Sequence, residues 1–113
     1  MDGTETRLAV YGTLAPGEPN HGQLAALTGS WRDGRVTGWL VAEGWGAALG
    51  YPALVPDPAG GTIPVKLFES NELPQHWTRL DAFEGEGYRR VPIVVTTDLG
   101  SEVASIYVAA DPR

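Results

Sequence analysis

Leu73, Trp77 and Leu80 are spaced four and three residues apart, so on a helix they form one apolar stripe. The next position on that stripe is Glu84. The pattern therefore aims a carboxylate along the buried face, at the end of a helix whose C-terminal dipole also disfavours negative charge. A residue that breaks the pattern of its own element is often a functional one. Desolvation there raises a carboxyl pKa towards the range useful for general acid/base work at neutral pH. Two structural readings compete. In one the helix has unwound by Phe83 and Glu84 faces water; in the other Glu84 is salt-bridged to Arg89 or Arg90.

The second constellation is Tyr11-Gly12-Thr13-Leu14. A strand that ends in Gly-Thr, followed by a Pro-Gly loop and a capped helix, can present consecutive backbone N–H groups as an anion-binding nest. The same residues also suit an ordinary strand-to-helix turn. A phosphate loop is excluded, because GxxxxGK[ST] is absent. Tyr88 and Tyr107 can line a pocket or fill the core, and Trp31, Trp39, Trp45 and Trp77 read as core or pocket wall. His21 reads as an exposed residue at a helix start or a ligand contact. Without cysteine, a GxSxG elbow or a Ser/His/Asp grouping, nucleophilic catalysis has no candidate.

These residues need elements to position them. Residues 7–11 (RLAVY) read as a buried first strand, and 15–20 (APGEPN) as a loop. Asn20 is placed to cap a short helix from His21 to about Leu27, with Leu24 and Leu27 on one face and Gly29 as its stop. Residues 35–43 and 51–55 are strand-like. Ile63, Val65 and Leu67 alternate with Pro64, Lys66 and Phe68, a strand that Pro64 directs to a sheet edge or a bulge. Asn71 is expected to cap the helix that runs to about Phe83 and stops at Gly85, with Glu72 in its first turn. A hairpin closes the chain: 88–97, a turn at Asp98-Leu99-Gly100, then 101–110. Val91, Ile93 and Val95 share one face of its first strand. On its second strand Tyr107 points away from Ile106 and Val108. Five to seven strands and two helices without βαβ alternation give an α+β fold: a curled, mixed or antiparallel sheet with helices at its edge.

The bulk composition narrows the function. The 113 residues suit one domain, 1–113, and 42% apolar content is enough for a packed core. The 15 Gly and 9 Pro agree with many tight turns. A net charge of -6 argues against a nucleic-acid surface. No run of 18 apolar residues reads as a membrane span, and the acidic start, Met1 to Thr6, does not read as a secretory signal. With no cysteine there is no disulfide framework, and His21 and His76 have no metal-ligand spacing. The expectation is a cytoplasmic protein with neither metal nor cofactor.

Five segments together resemble the γ-glutamylcyclotransferase-like (gamma-glutamylcyclotransferase-like) family, which includes γ-glutamylamine cyclotransferases and the deprotecting cyclotransferase of butirosin biosynthesis. They are VYGTLAPGEPNH at 10–21, GYPALV at 50–55, LDAFEG at 80–85, YRRVPIVV at 88–95 and IYVA at 106–109. The first and third, in this order and spacing, are the specific ones. The resemblance implies a small β-barrel or curled sheet with two flanking helices. It also implies that the turn Tyr11-Gly12-Thr13-Leu14 binds a glutamyl moiety through backbone groups, that Glu84 is the acid/base, and that Tyr88 and Tyr107 border the pocket. The chain departs from the family at 62–69 (TIPVKLFE), where a V-x-G-E-[LV]-[YF]-E pattern is usual and Pro64 and Val65 stand for its Gly-Glu.

The implied reaction is release of 5-oxoproline from a γ-glutamyl amine, peptide or isopeptide, by attack of the substrate's own α-amine on its γ-carbonyl. The partner is then a small molecule, and no cofactor is required. The reading from a different class is a non-catalytic binding module that keeps the same pocket. The leaving amine and the oligomeric state stay open.

Overall fold

The alternation of the closing hairpin explains how the molecule divides its core in two. Ile106 and Val108 turn to one side of their strand and Tyr107 to the other, and all three are buried. The computed structural model describes residues 3–11, 17, 21–41, 53–85 and 88–109. Its strands are β1 (Arg7–Val10), β2 (Ser30–Val41), β3 (Ala53–Pro56), β4 (Gly61–Glu69), β5 (Tyr88–Thr97) and β6 (Gly100–Ala109). The helices are α1 (Gly22–Ala25) and α2 (Trp77–Glu84), the latter preceded by a 3₁₀ turn at Leu73–Gln75.

Five strands close into a barrel, in the order β1, β4, β2, β3, β6 and back to β1. The contacts of β6 with β1 and β3 are parallel and the others in the ring antiparallel. The extra strand β5 pairs antiparallel with β6 along its length and meets β2 at Arg35–Thr96. The expected α+β barrel with two flanking helices is what the chain forms.

Inside the barrel lie Ala9, Val36, Leu54, Val65, Leu67, Val95, Ala104, Ile106 and Val108, drawn from all six strands. Outside it, Leu8, Val10, Phe68 and Tyr107 pack against Leu24 and Leu27 beside α1 and Leu73, Trp77 and Leu80 of the second helical segment. Strand β1 serves both cores because successive side chains point to opposite faces. Barrel and helices are thus welded by apolar burial on both sides of one sheet.

The inward positions change character at one end. Arg7, Arg32, Glu69 and Glu102 share the parity of Ala9, Val36, Leu67 and Ala104, yet all four are charged. Arg32 hydrogen-bonds both oxygens of Glu102 and reaches Glu69 at 2.9 Å. Arg7 lies 3.4 Å from Glu69 and 3.5 Å from Glu102. Two arginines and two glutamates therefore close the barrel end with no net charge. Glu102→Ala strands both guanidiniums on Glu69, and a loss of about 2 kcal/mol is expected from urea unfolding, below the figure for a fully buried pair because the cluster is partly wet. A loss under about 0.5 kcal/mol would class the four as surface ion pairs.

Local details depart from the sequence expectations at three places. Helix α1 ends at Ala25, so Gly29 is not its stop; a Cβ there would sit 2.3 Å from the Glu69 carbonyl oxygen and 2.7 Å from the Phe68 ring. Gly29 is required by this close approach, not by a helix cap. Asn20, the expected cap of α1, lies outside the described residues, and His21 at the N-cap makes no side-chain cap bond. The second helix is not continuous from Asn71. Ser70 Oγ, not Asn71, accepts the Glu72 N–H (3.1 Å), and Pro74 takes the first turn, where a missing N–H costs least. Glu72 reaches back to accept the Thr28 N–H at 3.1 Å. Finally, counted back from Leu67-Phe68-Glu69, the family's Gly-Glu pair falls on Val65 and Lys66, not on Pro64 and Val65. Val65 is buried in the barrel core, and Lys66 is outside, paired with Asp33.

Pro64 does lie at an edge. It faces Arg35 on β2, whereas β1 covers only Lys66 to Glu69 of β4. The missing N–H is harmless there. No helix among the described residues is long and apolar enough to cross a membrane.

Candidate active site

Helix α2 carries the stripe that the spacing predicts. Leu73 in the 3₁₀ turn, then Trp77, Leu80 and Glu84, are all buried, and Glu84 is only 8% exposed. The helix does not unwind by Phe83: Glu84 is its last residue. Gly85 follows with φ of 80°, a conformation that glycine adopts without a Cβ clash, and its N–H donates to the Asp81 carbonyl at 3.0 Å. Tyr88 N–H then donates to the Gly85 carbonyl and leads the chain into β5. Glu84 is thereby held at the junction of α2 with the strands.

Burial pushes the Glu84 carboxyl up to about 7. Among the described residues it has no ion pair, and neither arginine considered for that role supplies one. Arg90 turns to Asp81 instead, with Nε 2.9 Å from Oδ1 and a second nitrogen 3.2 Å from Oδ2, and lies 4.3 Å over the Trp77 ring. Arg89 is exposed on β5.

Three tyrosines gather near this carboxyl. Tyr107, 5% exposed, donates its hydroxyl to Asp81 Oδ1 at 2.6 Å. Its own carbonyl accepts the Tyr11 hydroxyl at 2.7 Å, and that hydroxyl in turn accepts the Leu54 N–H at 2.8 Å. Tyr11 thus splices β3 to β6 at the end of β1. Burial raises both phenols well above their ordinary value, and the Glu84 charge adds to the effect on each. Tyr88, half-buried, packs on the outer core and adds its own field at Tyr11. Glu84, Tyr11, Tyr88 and Tyr107 therefore share one neighbourhood, although 73 residues separate Tyr11 from Glu84. Gly12, Thr13 and Leu14, which continue directly from Tyr11, lie outside the described residues, as does Trp45.

Other aromatic candidates are placed elsewhere. Trp31 stacks on Phe68 with ring centroids 4.6 Å apart, and the His21 ring lies tilted to Trp31 at 5.4 Å. Trp39 is exposed and donates to Asp57. Among the described residues no group of three or more His, Asp or Glu could hold a metal ion.

Asp81 was not singled out from the sequence, although it stands three positions before Glu84 on the same helix. Its signal was the pairing of LDAFEG with the Arg and Tyr of the hairpin, which only spatial proximity reveals. Partial desolvation pushes its carboxyl up, but hydrogen bonds from Arg90 and Tyr107 outweigh this and hold it below the usual carboxylate range. Two carboxyls one turn apart are driven in opposite directions. Such divergence separates a permanently charged anchor from a group able to exchange protons near neutrality.

Comparison with known proteins follows the same lines. A family model for gamma-glutamyl cyclotransferase, AIG2-like proteins matches residues 8–113. A Bacillus subtilis (strain 168) protein named "Putative gamma-glutamylcyclotransferase YkqA" is 36% identical over 100 residues, 88% of this chain and 34% of that protein. The chain thus spans about a third of the length of this curated relative. The YkqA crystal structure superposes with a TM-score of 0.71 at 34% identity, over 92% of this chain and 35% of YkqA. An AIG2-like protein from Mus musculus shares the fold, with a TM-score of 0.73 at 24% identity over 97% of this chain and 80% of its own. With the barrel, the helix bearing Glu84 and a family match spanning all but the first seven residues, this chain belongs to the gamma-glutamyl cyclotransferase, AIG2-like family.

Proposed function

We propose that this chain is a cofactor-independent cytoplasmic cyclotransferase that releases 5-oxoproline from a γ-glutamyl amine, peptide or isopeptide. The observation that carries the reading is Glu84: buried at the end of α2, unpaired among the described residues, and with its carboxyl pushed up to about 7. Membership of the family supplies the substrate class.

The nucleophile is the substrate's own α-amine, already tethered to the γ-carbonyl it attacks. The protein's task is to hold the folded-back conformer, in which effective molarity is high. Glu84 takes a proton from the α-ammonium and passes it to solvent, the freed nitrogen adds to the γ-carbon to close the five-membered ring, and Glu84 then takes the second proton that this nitrogen carries in the tetrahedral adduct. The same carboxyl then returns the proton to the departing nitrogen as the C–N bond breaks. Backbone N–H groups of Gly12, Thr13 and Leu14 hold the glutamyl moiety or its developing oxyanion. Tyr11, Tyr88 and Tyr107 border it. Burial of Glu84 serves this cycle because a carboxyl near neutrality exists in both protonation states at working pH.

Purified protein incubated with a panel of γ-glutamyl amines, dipeptides and isopeptides is expected to yield 5-oxoproline and the free amine in equal amounts by mass spectrometry, with or without chelator. Ligand binding without product would make this chain a binding module. Activity that vanishes with chelator and returns with zinc would replace the carboxylate mechanism by a metal one.

A further inference from the structure

We infer that Asp81 is a positioning residue, whose clasp by Tyr107 and Arg90 sets Glu84 in register with Tyr11 at the end of β1. The inference rests on the reading of Glu84 as the proton-transfer group. Asp81 accepts hydrogen bonds from Arg90 on β5 and Tyr107 on β6, so both strands of the hairpin grip the helix one turn before Glu84. Its carbonyl also accepts the Gly85 N–H that closes the last turn of α2. The grip continues through Tyr107, whose carbonyl is held by Tyr11, the residue immediately before Gly12. A chain of hydrogen bonds therefore runs from Glu84's own helix through Tyr107 to Tyr11. Apolar packing alone is non-directional and leaves a short helix free to slide. Directional bonds from a fixed hairpin remove that freedom. Because Asp81 is half-exposed while Tyr107 is 5% exposed, the clasp reaches from the surface into the outer core.

The charge of Glu84 acts on Tyr11 at the end of β1 and on Tyr107 of β6, and the same two phenols feel Tyr88 of β5 (at Tyr11) and Asp81 and Arg90 (at Tyr107). Any substitution of Asp81 alters the charge in this set, so the test needs a charge control. Asp81→Asn and Asp81→Ala both remove the charge, but only asparagine keeps an oxygen for the Tyr107 hydroxyl. Positioning predicts that the two variants differ. In the full chain, Asp81→Ala is expected to lower kcat by about tenfold to a hundredfold with KM little changed, the scale of effect that a small misplacement of a reacting group produces. Asp81→Asn is expected to recover most of the loss. Independently of turnover, a ¹³C NMR titration of the Glu84 side-chain carboxyl is expected to show a lower midpoint in Asp81→Ala than in Asp81→Asn, because a loosened helix end lets water reach it. Identical kcat and identical Glu84 titration in the two variants, with only the melting temperature lowered, would overturn the inference and leave Asp81 a structural ion pair. If the wild type makes no 5-oxoproline from any compound of the panel, the proposed reaction fails, yet the NMR comparison still decides whether Asp81 positions Glu84.

Discussion

Glu84→Gln is expected to lower the rate of 5-oxoproline formation by at least about two orders of magnitude, the usual contribution of general acid/base catalysis. Stability is expected to move the other way. The folded-state pKa of Glu84 is raised from the ordinary 4.5 to about 7, so the fold prefers the neutral acid. Its contribution to stability is fully present below the unfolded value and is lost as pH rises through about 7. Above that, the wild type carries a desolvated charge that costs up to about 3.5 kcal/mol, at about 1.4 kcal/mol for each pH unit by which the pKa is raised. The amide carries no charge at any pH. Calorimetry should therefore give nearly equal melting temperatures for the two proteins near pH 4.5 and a higher one for the mutant near pH 8. Ligand binding should survive, since the amide is isosteric. A mutant that melts lower at both pH values and loses activity only in proportion would make Glu84 a structural residue.

The second large effect concerns the substrate rather than the protein. Acetylating the α-amine of a γ-glutamyl amine that turns over is expected to abolish product formation entirely. The mechanism has no other nucleophile: the chain contains no cysteine, and the attacking nitrogen is supplied by the substrate. An acetamide nitrogen has its lone pair delocalised and cannot add to the γ-carbonyl, however well the pocket orients it. Liquid chromatography with mass detection should find the acetylated compound unchanged after incubations that exhaust the free one. Release of the amine from the acetylated compound would mean that water or a protein group attacks instead, and the enzyme would be a hydrolase. The two experiments separate the roles: one removes the proton carrier, the other the nucleophile.

Much of this protein was readable without its structure wherever one local period decided the outcome. The stripe of Leu73, Trp77, Leu80 and Glu84 survives the break at His76, because the 3₁₀ turn and α2 keep the same side facing the barrel. The opposed faces of Tyr107 and its neighbours, and the turn at Asp98–Leu99, follow from the pleat and from turn chemistry alone. The edge position of Pro64 follows from its missing N–H.

What the sequence could not show depends on which strands meet. Barrel closure through β6 with β1 and β3 joins segments about 50 to 100 residues apart, and no local pattern encodes that pairing. Closure is what turns four inward charges, Arg7, Arg32, Glu69 and Glu102, into a neutral cluster. It also brings Tyr107 to Asp81 and Tyr11 to Tyr107, and sends Arg90 to Asp81 rather than to Glu84. Ser70 displaces Asn71 as cap for a similar reason: its hydroxyl is fixed by the Thr28 carbonyl of a distant loop, at 2.6 Å. The sequence alone marked Glu84 as a carboxylate on a buried face, because helical period is a local property. Its isolation from every arginine in the described structure was decided by tertiary packing, because an ion pair forms only with the partner that the strand register delivers.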